Sequence, residues 1–261
     1  MGEVWLVTSG RGGTGRSVVS ACLGAALSGL RYNTALVDLN MGLRSLDMLL
    51  GMENDVVYDL SDLANDICLP KQALLPVPGA AGLQMLSASQ WEGPSSLPRE
   101  AYERVLSRLL QNHRYLVLDG PPGADWGFMT AVSLADRAAV VTKMDPLSLR
   151  GAERMVMMCR DGGVKDVYLI INGAEPETAD EEGEYPYMAV QRRMDAPVIG
   201  FVPETAELGA MPIRLPLSAG LGRTFEDMAR RMYGDRMPLR PPTKPQKQKR
   251  SRFALTEDED D

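Results

Sequence analysis

Six short apolar runs punctuate the chain, at Val4–Val7, Ala35–Val37, Tyr115–Leu118, Ala138–Val141, Val167–Ile171 and Val198–Val202. Each is continuous rather than alternating, which predicts strands covered on both faces. Between them the apolar spacing changes period. Tyr102, Val105, Leu106, Leu109 and Leu110 fall on the stripe of an amphipathic helix. Leu149, Ala152, Met155, Val156 and Cys159 do much the same, and Leu221, Phe225, Met228, Ala229 and Met232 form a last such stripe. A small-residue run from Val18 to Leu30 follows the first strand. Strands alternating with helices predict an α/β fold: a doubly wound, mostly parallel sheet with helices on both faces. Ligands of such sheets bind outside the carboxyl ends of the strands.

The polar stretches bound this domain. Residues 173–184 hold six acids and no base, and predict an exposed loop. Arg236–Arg252 carries seven basic residues, four prolines and no acid, and Glu257–Asp261 is wholly acidic. That composition predicts a disordered tail over 236–261 behind one domain over 1–235.

Composition narrows the class. The 261 residues are 44% hydrophobic and 24% charged, ordinary for a soluble protein with a sizeable core. No apolar run approaches the ~20 residues of a membrane span. The N-terminus reads straight into a strand without a signal-peptide pattern, so a cytoplasmic protein is expected. Cys22, Cys68 and Cys159 are far apart and His113 is the only histidine, which argues against a disulfide framework or a zinc site. Net charge is −7, and residues 1–235 hold 21 basic and 30 acidic residues, so no nucleic-acid partner is expected.

Chemistry concentrates in three loops. The first, Ser9-Gly10-Arg11-Gly12-Gly13-Thr14-Gly15-Arg16-Ser17, lies between the first strand and a helix. Glycines let phosphate oxygens approach bare backbone N–H groups, and the following helix adds its positive N-terminal end. Gly10, Gly15, a basic residue at 16 and the Ser17 hydroxyl fit G-x-x-x-x-G-K-[ST], with Arg16 in place of lysine. Ser17 offers an oxygen to Mg²⁺. The second loop begins at Asp38, and the third is Asp119-Gly120-Pro121-Pro122-Gly123. An aspartate closing a buried strand is what a Mg²⁺-linked carboxylate requires.

With these residues in view the chain resembles the MinD/ParA family of deviant Walker A ATPases, and its MinD branch most. The likeness lies in Val7–Ser17, in Gly42-Leu43-Arg44-Ser45-Leu46-Asp47-Met48-Leu49-Leu50-Gly51, and in Val56–Leu60. It continues in Gln72–Leu74, Ser87–Gln90, Asp119–Gly123 and Gly200–Glu204. The resemblance implies a P-loop fold that binds ATP or ADP with Mg²⁺. It implies phosphate contacts from Gly10, Gly12, Gly13, Thr14, Gly15, Arg16, Ser17 and Val18, and a metal site from Ser17, Asp38 and Asp119. It implies an adenine contact from Asn172. It also implies a homodimer formed face to face around two nucleotides, a protein partner, and a role in division-site selection or protein positioning. MinD proteins end in a membrane-binding helix. The prolines of 236–252 forbid a continuous one, although a polybasic stretch can still touch anionic lipid.

The departures sharpen this expectation. Both family lysines of the glycine loop are arginines here, Arg11 and Arg16. The resemblance assigns one to the partner's nucleotide and the other to the β- and γ-phosphates. Asn40 stands where MinD has the aspartate that orients the attacking water, and an amide is no carboxylate base. Arg11, Arg16 and Asn40 are therefore the catalytic positions at which weak hydrolysis is expected, and a pseudo-ATPase adaptor is the alternative. Pro212 and Arg214 stand ahead of Pro216, where the family has an adenine-side Asn and Gly. Other enzymes of the scaffold fit less well. An iron–sulfur reductase needs cysteines near the Asp119 loop, and a tyrosine kinase needs a C-terminal tyrosine cluster.

Overall fold

The computed structural model describes residues 2–93, 95–121, 123, 126–176 and 184–240. The strands are β1 (Glu3–Thr8), β2 (Thr34–Asp38), β3 (Leu75–Pro76), β4 (Leu83–Leu86), β5 (Tyr115–Asp119), β6 (Arg137–Thr142), β7 (Asp166–Asn172) and β8 (Val198–Val202). Ten helices accompany them among the described residues: α1 (Arg16–Gly29), α2 (Leu46–Leu50), α3 (Leu60–Ala64), α4 (Pro70–Ala73), α5 (Arg99–Leu110), α6 (Trp126–Leu134), α7 (Pro146–Asp161), α8 (Pro186–Met194), α9 (Ala206–Gly209) and α10 (Ala219–Tyr233). The eight strands form one sheet in the order β3-β4-β2-β5-β1-β6-β7-β8. Every pairing is parallel except that of the two-residue edge strand β3 with β4.

The sheet is buried on both faces, as the continuous apolar runs predict. Alternate residues feed two cores. Val4, Leu6, Val37, Leu116, Leu118, Val140 and Leu169 pack with α5 and α7 on one side. Trp5, Val7, Leu36, Tyr115, Val117, Val141 and Ile170 pack with α1 and α10 on the other. Strand alternation sends neighbouring side chains to opposite faces, so one apolar run serves both layers. At roughly 25 cal/mol per Å² of buried apolar surface, such side chains supply most of the driving force for folding.

Two sequence expectations shift. Ala174, inside the stretch read as an exposed loop, is buried, and its N–H donates to the Val202 carbonyl at 2.9 Å. The hydrogen bonding of β7 to β8 thus outruns the apolar run of β7. Residues 177–183 of that stretch lie outside the described residues. The chain past 235 also stays on the domain for a short distance. Arg231 donates to the carbonyls of Met237 (3.3 Å) and Pro238 (2.7 Å), and Leu239 packs against the core. Domain contacts therefore extend past Asp235, and 241–261 lie outside the described residues.

Candidate functional site

The glycine loop joins the end of β1, a central strand, to α1. Its turns are tied internally: Ser9 Oγ and Thr14 Oγ1 both donate to the Arg11 carbonyl, at 3.1 and 3.2 Å. Two glycines are demanded by close approach. A Cβ on Gly10 would lie 2.1 Å from the Gly151 carbonyl carbon in α7. One on Gly15, at φ +84°, would lie 2.2 Å from Asn172 Nδ2. Gly12 and Gly13 face open space instead, and Arg11 is exposed beside them. Gly15 caps α1 without any side-chain acceptor, and no acid stands in the first turn. The first N–H groups of α1, including those of Arg16, Ser17 and Val18, thus keep their capacity for an anion at the positive end of the helix dipole.

Behind the loop lies a buried polar cluster. β2 and β5 are in register with Asp38 opposite Asp119, so two carboxylates end adjacent strands side by side. Asp38 is wholly buried and accepts from three backbone N–H groups: Asn40 at 2.8 Å, Ser45 at 2.9 Å and Leu46 at 3.0 Å. Burial, and next the charge of Asp119, push its carboxyl up to about 6, with these N–H groups pulling the other way. Asp119 is equally buried. Its Oδ2 accepts from Ser17 Oγ at 2.7 Å, and its Oδ1 from Ser20 Oγ at 2.8 Å and Arg16 Nε at 3.0 Å. An Arg16 Nη2 group also lies 3.4 Å from Ser17 Oγ.

The structure therefore brings Ser17, Asp38 and Asp119 together, but as arranged the set does not fit a bound Mg²⁺. Each carboxylate oxygen already accepts from a protein donor, and the Ser17 oxygen faces a guanidinium N–H. The positive charge at this spot belongs to Arg16, itself only 9% exposed. Among the described residues no group of three or more histidines, cysteines and acids could hold a metal ion elsewhere.

The remaining candidates spread around the loop. Asn40 is buried, its Nδ2 donating to Ser45 Oγ at 3.3 Å. Arg11 lies 3.7 Å from Asp145, an exposed pair at the start of α7. Asn172, ending β7, donates its Nδ2 to the Thr14 carbonyl at 2.7 Å and borders a cavity of about 250 Å³. Gly13, Gly15, Val18, Lys143 and Glu204 line it too. Pro212 and Arg214 do not line that cavity. Their segment is tied to α2 instead, with the Ile213 N–H donating to the Leu49 carbonyl at 2.8 Å.

Sequence reasoning missed Ser20, Asp145 and Lys143. Ser20 had a signal: it stands one helical turn after Arg16, on the face that meets Asp119. Asp145 had one as well, as a helix N-cap whose carboxylate accepts from the Ser148 N–H at 3.0 Å. Lys143 had none.

A glycine loop between a central parallel strand and its helix, with aspartates ending the two adjacent strands on one side, defines the P-loop class of nucleotide-binding proteins. Comparison narrows it: a family model described as "ParA: NUBPL iron-transfer P-loop NTPase" matches residues 1–203. The chain belongs to the ParA family of P-loop NTPases. It is 34% identical to a putative septum site-determining protein MinD of Guillardia theta, over 78% of this chain and 76% of that protein. To the septum site-determining protein MinD of Thermotoga maritima it is 29% identical, over 92% and 91% of the two chains. Among solved structures, a MinC:MinD cell division complex from Aquifex aeolicus matches with TM-score 0.78 and 28% identity, covering 93% of this chain and all (100%) of that one. MinD of Pyrococcus horikoshii complexed with Mg-ADP matches in fold, with TM-score 0.72, 24% identity, and coverage of 89% and 96%. The doubly wound α/β fold expected from the sequence is thus the fold of these relatives. For the iron transfer in the family description, no group of three or more histidines, cysteines and acids stands ready among the described residues, and Cys22, Cys68 and Cys159 are each free and buried.

Proposed function

We propose that this chain is a MinD-like ATP-binding switch that dimerises around nucleotide and serves cell division-site selection or the positioning of partner proteins. The observation that carries the reading is the uncapped N-terminus of α1 behind an open glycine loop. It is an anion site with a base-sized cavity beside it, bordered by Asn172. Gly10, Gly12, Gly13, Thr14, Gly15, Arg16, Ser17 and Val18 form the phosphate cradle. The exposed Arg11 is assigned to a partner's nucleotide across a homodimer. The relatives named for septum-site determination, and the MinC-bound neighbour, support the process and a protein partner. The cytoplasm, with the polybasic tail touching anionic membrane from inside, is the proposed setting. No helix of the described residues is long and apolar enough to cross a membrane.

Hydrolysis in this reading is slow. Asn40 provides no carboxylate base, and its amide is held on Ser45. A pseudo-ATPase adaptor differs only in having no turnover, and steady-state phosphate release separates the two. The test of the nucleotide site itself is isothermal titration of ATP and ADP in Mg²⁺, with a thermal melt alongside. Saturable heat and a melting temperature that climbs with ligand are expected, because binding to the folded state alone stabilises it. Neither heat nor shift at millimolar nucleotide overturns the reading.

A further inference from the structure

Arg16 is usually read by its charge toward the phosphates, yet its side chain turns inward. Its Nε sits 3.0 Å from Asp119 Oδ1, and one of its terminal nitrogens 3.4 Å from Ser17 Oγ. We propose that the Arg16 guanidinium is the resident cation of this site, so that nucleotide binding does not depend on a divalent ion. The inference rests on the glycine loop being a nucleotide site.

Two buried carboxylates at neighbouring strand ends repel one another and need a compensating positive charge. Asp38 draws its compensation from three backbone N–H groups, whereas Asp119 has two hydroxyls and Arg16. The cation is therefore specific to Asp119, the carboxylate that also holds Ser17. A guanidinium suits this place for a geometric reason. Its planar fork presents separate N–H groups to Asp119 and to Ser17 at once, which a point-like ammonium does not do in the same way. Ser20 completes the seat: its hydroxyl donates to Asp119 Oδ1 at 2.8 Å. Bonded so, Arg16 takes Asp119 Oδ1 and faces Ser17 Oγ, while Ser17 itself takes Asp119 Oδ2, so a divalent ion would have to recruit oxygens already in use. A metal would have to displace a charge-assisted, buried bond, which is stronger than a neutral one.

The experiment is calorimetric titration of ADP into the full chain, once in Mg²⁺ and once in EDTA. For the wild type the two dissociation constants should agree within about threefold. Arg16→Lys, which withdraws the fork, should bind at least about tenfold more tightly in Mg²⁺ than in EDTA. A wild type that loses more than about threefold in EDTA overturns the inference and leaves the nucleotide site standing. No heat in either medium overturns the nucleotide reading and this inference with it. The wild-type comparison alone decides the matter, whether or not the lysine variant folds.

Discussion

A single side chain, Arg16, links two properties of the site, the neutralisation of Asp119 and the shape of the loop. Removing its charge leaves Asp119 buried and uncompensated beside Asp38. Arg16→Met should therefore cost about 3–5 kcal/mol of stability, read from the urea unfolding midpoint. An unchanged midpoint would mean that the pair is not formed in solution. Asn40 makes the second residue-scale prediction. In the proposed ATP-binding switch, Asn40→Asp would supply a negative acceptor for the attacking water, and should raise ATP turnover at least about tenfold, more than Arg16→Lys does. The same change adds a third carboxylate near Asp38 and Asp119, so the variant should also melt earlier. Phosphate release and a thermal melt check both halves, and faster turnover from Arg16→Lys alone reverses the order. At this scale the sequence was half legible. Local spacing located the loop, its hydroxyl and both aspartates. It carried the charge of Arg16 but not its direction, because the partner that turns it inward is 103 positions away.

Between elements, the glycine loop and α7 are packed backbone to backbone. The Gly10–Gly151 contact has no space for a methyl group on either side. Gly10→Ala should destabilise by about 1–3 kcal/mol through forced separation of the loop from α7. The denaturant midpoint measures it, and a neutral result would show that α7 yields without cost. The six apolar runs each became a strand within a residue of the expected bounds, because burial on both faces leaves no room for polar interruption. β4 escaped notice because Gln84 breaks its run. That glutamine is held by His113, whose Nε2 lies 2.8 Å from its Oε1, a partner no local pattern shows. β3 is two residues ending in Pro76, too short for any period. The helices of four or five residues escaped for the same reason, whereas α5, α7 and α10 carried their stripes over about two and a half turns or more.

At the scale of the whole molecule, the domain's contacts run past Asp235 to Leu239. Deleting 241–261 should leave the unfolding free energy within about 0.5 kcal/mol of the full chain. A cut that also removes 236–240 takes away the carbonyls bonded by Arg231 and the packing of Leu239. It should cost about 1–3 kcal/mol more. If the tail is the lipid contact, the shorter deletion also abolishes sedimentation with anionic vesicles. The three thiols add a property of the entire chain. Burial pushes Cys22 and Cys159 up to about 12, with the charge of Glu207 adding to the first, and raises Cys68 as well. At pH 8 the native protein should consume no thiol reagent over minutes, and all three groups should react after denaturation.

That silence has a practical side. A protein whose own sulfurs do not answer is a blank background for a reporter. Leu147 is 66% exposed at the start of α7, two residues from the Asp145 that meets Arg11. A lone spin label at Leu147→Cys would be the single paramagnetic centre on each copy of the chain. In dilute, nucleotide-free solution it should give only the featureless decay of molecules that never meet. If ATP draws two copies together across the loop, the same label acquires a twin at a fixed separation, and a dipolar oscillation emerges from that decay.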